Sequence, residues 1–165
     1  MFRCFILCAM AWFGSHAPSA FADEKPAAWE VTSFPEAWRK PPKLEGGFAW
    51  YRTWLQIPES WSEKETILHF EAGDQAAEIF LEGKRLGVIG SLPPEYRSGM
   101  GHPAEFRFAP NPQLTGRAVS LHVRLYRPSN SRENLNLAAP LVVCGEEAIL
   151  LAGDWQFTPG DEAKR

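Results

Sequence analysis

"AWYRTWLQIP", residues 49–58, alternates two kinds of side chain with a period of two. Tyr51, Thr53, Leu55 and Ile57 fall on one side of an extended chain, and Trp50, Arg52, Trp54 and Gln56 on the other. Successive side chains of a strand point to opposite faces, so the pattern predicts a β-strand that Pro58 closes. The surrounding residues 47–61 hold Trp50, Tyr51, Trp54 and Trp61. Such aromatics are either packed core or a platform for something planar, such as a sugar ring. Burying a tryptophan contributes several kcal/mol at about 25 cal/mol per Å². Core is therefore the first expectation, with Trp29, Trp38 and Trp155 from flanking segments covering the Trp50-Arg52-Trp54 stripe.

Working outward, prolines and glycines punctuate the chain every eight to twelve residues or so, with β-branched and aromatic residues between them. This is the pattern of an all-β sandwich. "AVSLHVRLY" (118–126) sets Val119, Leu121, Val123 and Leu125 against Ser120, His122, Arg124 and Tyr126. "TILHFEA" (66–72) and "AAEIFLEGKRLGVI" (76–89) read as further strands, the second folded into a hairpin at Glu82-Gly83-Lys84. "EAILLAGDWQF" (147–157) supplies a last strand or pair broken near Gly153-Asp154. "SFPEAW" (33–38) has room for one helical turn. The longest irregular pieces are residues 90–104 and 127–140.

The first 22 residues, "MFRCFILCAMAWFGSHAPSAFA", read as a secretory signal. They carry one positive charge, an apolar run and a terminal Ala-Phe-Ala of the small-x-small type. The run from Cys4 to Phe13 spans ten residues, against the roughly twenty needed to cross a bilayer. Cleavage would leave 143 of the 165 residues, one domain of ordinary size, in a secreted or periplasmic location. Cys4 and Cys8 would leave with the signal, so Cys144 remains without an internal partner. The formal charge of −3 becomes −4 without Arg3, which speaks against nucleic acid and anionic membranes as partners.

Few residues suit chemistry. Ser98 and His102 are near neighbours, but no nucleophile elbow surrounds them, and Ser98 reads as a solvated serine in a Gly-rich loop. Cys144 reads as a small buried hydrophobe. Glu146 and Glu147 are adjacent, so on a strand they face opposite ways and cannot flank one bond. No Cys-x-x-Cys or paired-histidine spacing suggests a transition metal.

The order of motifs resembles the galactose-binding-like β-sandwich at the front of family 2 glycoside hydrolases. It runs "WEVTSFPEAW" (29–38), "GGFAWYRTWLQIPESW" (46–61), "ILHFEAGDQAAEIFLEGKRLG" (67–87) and "VSLHVRLY" (119–126). Trp50-Tyr51-Arg52, Leu68-His69-Phe70, Asp74, Ala77, Gly83-Lys84 and Val123-Arg124 fall on positions of that pattern. Glu82 stands where the family usually has Asn, and Thr53 where it often has Arg. "ILLAGDWQFTPGD" (149–161) looks like the strand that follows a similar module in bacterial sialate O-acetylesterases. Related modules also precede larger secreted haem-bearing proteins. The resemblance implies a single galactose-binding-like jelly-roll sandwich over residues 23–165. It also implies that the catalytic groups are elsewhere. Glycosidase carboxylates sit in a separate barrel, and the esterase serine follows a Gly-Asp pair, whereas the pairs here precede Gln75, Trp155 and Glu162. A structural calcium near Glu71, Asp74 and Glu78 belongs to the same resemblance; no other cofactor is expected.

Three roles follow as expectations. The first is a secreted, non-catalytic carbohydrate-associated binding or accessory module. The second is a detached or truncated front domain of a glycosidase or carbohydrate esterase, acting beside a catalytic partner protein. The third is a protein-interaction module without sugar affinity. Loops on a rigid scaffold carry much binding, so Tyr96, Arg97 and His102 in one long loop and Asn130, Arg132, Asn134 and Asn136 in the other are the candidate sugar contacts. Trp54 on the strand face joins them.

Overall fold

A computed structural model of the protein describes residues 28–39, 46–131 and 137–162. The signal reading for residues 1–22 lies outside this range, as do the candidates Arg132, Asn134 and Asn136. The described residues form ten strands. They are β1 (Glu30–Phe34), β2 (Gly47–Gln56), β3 (Thr66–Phe70), β4 (Ala76–Leu81), β5 (Lys84–Ile89), β6 (Ala104–Phe108), β7 (Ala118–Arg127), β8 (Leu141–Cys144), β9 (Glu147–Leu150) and β10 (Gly153–Pro159). One helical turn, α1 (Glu36–Arg39), follows β1.

All pairings are antiparallel, in a six-stranded sheet ordered β1-β10-β2-β7-β4-β5 and a four-stranded sheet ordered β6-β3-β8-β9. The chain passes between the sheets after β2, β3, β5, β6, β7 and β9, the winding of a jelly-roll sandwich. This is the all-β architecture that the sequence pattern predicts. Strands β1, β6 and β8 are additions, since their short segments offer little alternation to read.

Strands β2 and β7 pair over ten residues, from Gly47↔Arg127 to Gln56↔Ala118. Their inward faces are the two alternating sets read from the sequence: Tyr51, Thr53 and Leu55 from β2, and Val119, Leu121, Val123 and Leu125 from β7, all buried. The opposing sheet contributes Leu68, Phe70, Phe106, Val142 and Cys144. Cys144 is thus a buried, unpaired thiol, as its apolar neighbours suggested.

Trp38 joins the two layers. Carried inward by α1 and wholly buried, it lies 4.7 Å from Tyr51 and 5.4 Å from Phe70 between ring centroids. Phe34 fills the gap between Trp38 and Trp155, at 5.6 and 5.5 Å. Tyr51 also meets Phe157 at 5.1 Å, and burial pushes its phenol well above the ordinary range, so it stays neutral. This corrects the expectation that Trp38 and Trp155 cover the Trp50-Arg52-Trp54 stripe. Phe157 stands opposite Tyr51 in the register of β10 with β2, so Trp155, two residues away, also points inward.

The β4–β5 hairpin turns at Glu82-Gly83, both with positive φ (48° and 74°). Gly83 adopts this freely, whereas Glu82 is held there by its side chain. The Glu82 carboxylate accepts the backbone N–H of Ser120 and a bond from Arg117 Nη2 at 3.0 Å. These contacts, the Ser120 N–H first, hold its carboxyl below the ordinary value.

Trp38→Ala is expected to destabilise the sandwich by about 3–5 kcal/mol in a urea titration, the usual range for emptying a large aromatic site. Trp54→Ala, on the outer face, should move the midpoint by about 1 kcal/mol or less. Equal losses would contradict this assignment of core and surface.

Candidate functional site

The outward side chains of the six-stranded sheet form rows across its strands. Gln156, Arg52, His122 and Phe80 stand opposite one another from β10 through β2 and β7 to β4, and Val31 of β1 extends the row. The next row holds Thr158, Trp50, Arg124, Glu78 and Val88. On the other side Trp54 faces Ser120, and the β10–β2 register extended by two pairs places Asp154 opposite Trp54. A hydrogen bond of 3.2 Å from Thr53 Oγ1 to the Asp154 carbonyl ties these strands together there.

The second row is closed on itself. Trp50 packs against Phe80 at 5.6 Å and donates its indole N–H to the Asp161 carbonyl at 3.5 Å, so it is buried although it points away from the core. Arg124 pairs with Glu78 at 2.8 Å and Asp161 at 2.6 Å, and its guanidinium lies 4.5 Å from the Phe48 ring centre. Arg85 takes the other Glu78 oxygen at 2.9 Å.

The first row is open. The Arg52 guanidinium lies 4.0 Å from the ring centre of Trp29 and 5.1 Å from that of Trp54. Cation–π attraction holds it between them. Its Nε donates to Gln156 Oε1 at 2.7 Å. No carboxylate among the described residues pairs with it. Beside it, His122 is 7% exposed, meets Trp29 edge-on at 6.3 Å, and has an Nδ1 with no hydrogen-bond partner among the described residues. Burial and the neighbouring Arg52 charge hold this imidazole below its ordinary value, against a smaller opposing pull from Glu82. Trp54 is 50% exposed and Val31 75%. The result is a half-open indole, a stacked cation, an amide and a carboxylate on one rigid sheet face.

The loop candidates are arranged differently. Tyr96 donates its hydroxyl to the Asp74 carbonyl and stacks 5.3 Å from Tyr126, and burial raises its phenol above the ordinary value. Ser131 donates its hydroxyl to the Asp74 carboxylate at 2.8 Å, so the two long loops meet at Asp74. Arg97 is exposed, its backbone bridged to Ser91. His102 is exposed beside a shallow cleft with Glu71, Gly73 and Met100, and Asn130 is exposed. Ser98 directs its hydroxyl to backbone, accepting the Met100 N–H at 3.0 Å and facing the Gly73 carbonyl at 3.5 Å. A Cβ on Gly99 would stand 2.7 Å from Ile89 Cγ2, so glycine lets this loop press onto the sheet.

The three calcium candidates are not brought together. Glu78 is on the outer sheet face between two arginines, Asp74 is bonded to Ser131, and Glu71 is exposed near His102. No group of three or more His, Cys, Asp or Glu among the described residues could hold a metal ion. A cleft of about 380 Å³ lined by Leu81, Leu86, Phe108 and Leu114 lies at the hairpin end. Its rim groups Glu82, Asn111 and Arg117 are bonded among themselves and to backbone.

Alternation in residues 49–58 marks Arg52 and Trp54 as sharing a face. Gln156, His122 and Asp154 join them only through pairing with distant strands, which leaves no local signal in the sequence.

No family model and no curated protein matches the sequence. Among solved structures, the chain is similar to a beta-glucuronidase from Ruminococcus gnavus, at 14% identity and a TM-score of 0.40, over 68% of this chain and 20% of that one. A second Ruminococcus gnavus beta-glucuronidase structure gives 13% and 0.39, over 78% and 27%. The beta-D-glucuronidase of Dictyoglomus thermophilum gives 11% and 0.40, over 79% and 27%. The chain therefore spans about a fifth to a quarter of these neighbours' length. Glycosidases are the neighbours that the motif order led us to expect; at these TM-scores the fold rests on the sheet pairing itself.

Acid should weaken the fold in two stages. His122 is held below its ordinary 6.5, so the unfolded chain takes up the proton first, and stability falls as pH drops below about 6.5 until the folded imidazole also protonates. Glu82 is held below 4.5, so its contribution is present above about 4.5 and lost as pH falls through the lower folded value. Urea midpoints between about pH 8 and pH 3 check this: His122→Gln should remove the upper stage and Glu82→Gln the lower.

Proposed function

We propose that this chain is a secreted, non-catalytic, carbohydrate-associated binding or accessory module whose ligand lies on the outer face of the six-stranded sheet. The observation that carries this reading is the half-exposed Trp54 beside Arg52, in line with Gln156 and Asp154. The C–H-rich face of a pyranose packs on an indole, while its hydroxyls need fixed donors and acceptors within one ring's reach. An amide, a guanidinium and a carboxylate supply both. The surface is preorganised, because the side chains stand on paired strands and Arg52 is already stacked.

The non-catalytic part draws support from the candidates for chemistry. The Ser98 hydroxyl is engaged with backbone, the Cys144 thiol is buried, and Glu146 and Glu147 follow each other in an exposed β8–β9 turn region. The proposed role needs no cofactor, nucleic acid or membrane. Service beside a separate catalytic protein is a compatible second reading, favoured by the order of motifs from Trp29 to Tyr126.

Calorimetric titration of the chain with a panel of soluble neutral and acidic polysaccharides tests the proposal. Saturable binding to at least one is expected, with Trp54→Ala weakening it about tenfold or more at unchanged fold, the scale of one aromatic stacking contact. Silence across the panel would overturn the binding role, and full binding by the Trp54→Ala chain would overturn the surface.

A further inference from the structure

Two other arginines on strands of the six-stranded sheet, Arg85 and Arg124, pair with carboxylates, at 2.6–2.9 Å. Arg52 instead has the Trp29 and Trp54 ring centres 4.0 and 5.1 Å from its guanidinium carbon and a neutral amide on Nε. Rings attract a guanidinium without accepting its N–H groups as a carboxylate does. With Nε taken by Gln156, the pair on Nη1 and Nη2 remains, and no described residue accepts from it. Two parallel N–H groups on one end of a planar cation match the two oxygens of a carboxylate. The half-exposed Trp54 ring lies against the same guanidinium.

We infer that the Trp54–Arg52 surface selects a carboxylate-bearing sugar, a uronic acid within a polysaccharide chain, with its carboxylate on the Nη edge of Arg52 and its ring on Trp54. This rests on the carbohydrate-binding reading of the same face and adds the ligand's charge and its position. The negative formal charge of the whole chain works against indiscriminate attraction to polyanions, so the selection is local to Arg52. A neutral sugar offers the guanidinium edge only single hydroxyl acceptors; a carboxylate makes a bidentate, charge-assisted pair with it.

The test compares galacturonic acid tetramers with the same tetramers after carboxyl reduction to galactose, and with a sulfated galactose tetramer of equal charge, by titration at physiological ionic strength. The uronate tetramer is expected to bind about 10- to 100-fold more tightly than its reduced form, the range for one charge-assisted pair. Arg52→Gln should remove most of that preference, weakening the uronate tetramer far more than the reduced one, so that the two bind within a few-fold of each other. Arg52→Lys should restore only part, since an ammonium cannot present the fork. Equal binding of uronate and reduced tetramers would overturn this inference while the carbohydrate-binding role stands. Equal binding of the sulfated tetramer would overturn the selection of carboxylate in favour of any anion. No binding of any tetramer or of the parent polysaccharides would overturn both.

Discussion

The ten-residue register between β2 and β7 is the constraint on which the rest depends. It sets Tyr51 against Val123 and Thr53 against Leu121 on the inner side, and Arg52 against His122 and Trp50 against Arg124 on the outer. A slip by one residue would turn one strand over relative to the other, carrying Arg52 in and Leu55 out if β2 turned, or Arg124 in and Leu125 out if β7 did. Burying a guanidinium without a partner costs several kcal/mol, so the alternation itself forbids the wrong pairing. The neighbours β10 and β4 pair onto this central ribbon, and their parity follows from it.

Because the sheet is aromatic on both sides, the outer face carries a thin second layer of its own. It grades from closed to open over four residues of one strand. Trp50 lies under Phe80 and the Asp161 carbonyl, with a neutralised arginine beside it. Trp54 has the Arg52 guanidinium near its ring and stays half exposed. The same stripe is thus structural at one end and available at the other. Core packing, the first expectation from the sequence, holds for Trp50 and leaves Trp54 exposed.

What could be read from the sequence was what is local. Alternation in β2 and β7, the Glu82-Gly83 turn and the single turn at Trp38 are set by residues a few positions apart, and all are found where expected. The sheet to which a tryptophan belongs is not local. Trp155 faces inward because Phe157 meets Tyr51, a pairing across some hundred residues of sequence, and Trp38 is inward because α1 tips it between the layers. The same applies to the candidate site. Arg52 and Trp54 were visible as neighbours on a face; Gln156 and His122 reach them only through register. In the loops, residue type suggested sugar contacts, yet Tyr96 spends its hydroxyl on the Asp74 carbonyl and the Asp74 carboxylate takes Ser131. Those groups brace the loops against each other.

The proposed role requires the outer sheet face to be the surface that meets a ligand. An ¹H–¹⁵N correlation titration of the backbone and indole N–H groups with a uronate oligomer tests this most directly, since each tryptophan and each loop reports from its own place. Trp38, Trp61 and Trp155 are buried, and the first two carry indole N–H groups without a partner among the described residues. The Trp54 and Trp29 signals are expected to move with ligand concentration while those of Trp38, Trp61 and Trp155 stay fixed. Shifts confined to residues 90–104 and 127–131, with Trp54 unmoved at saturation, would contradict this and place the ligand on the loops.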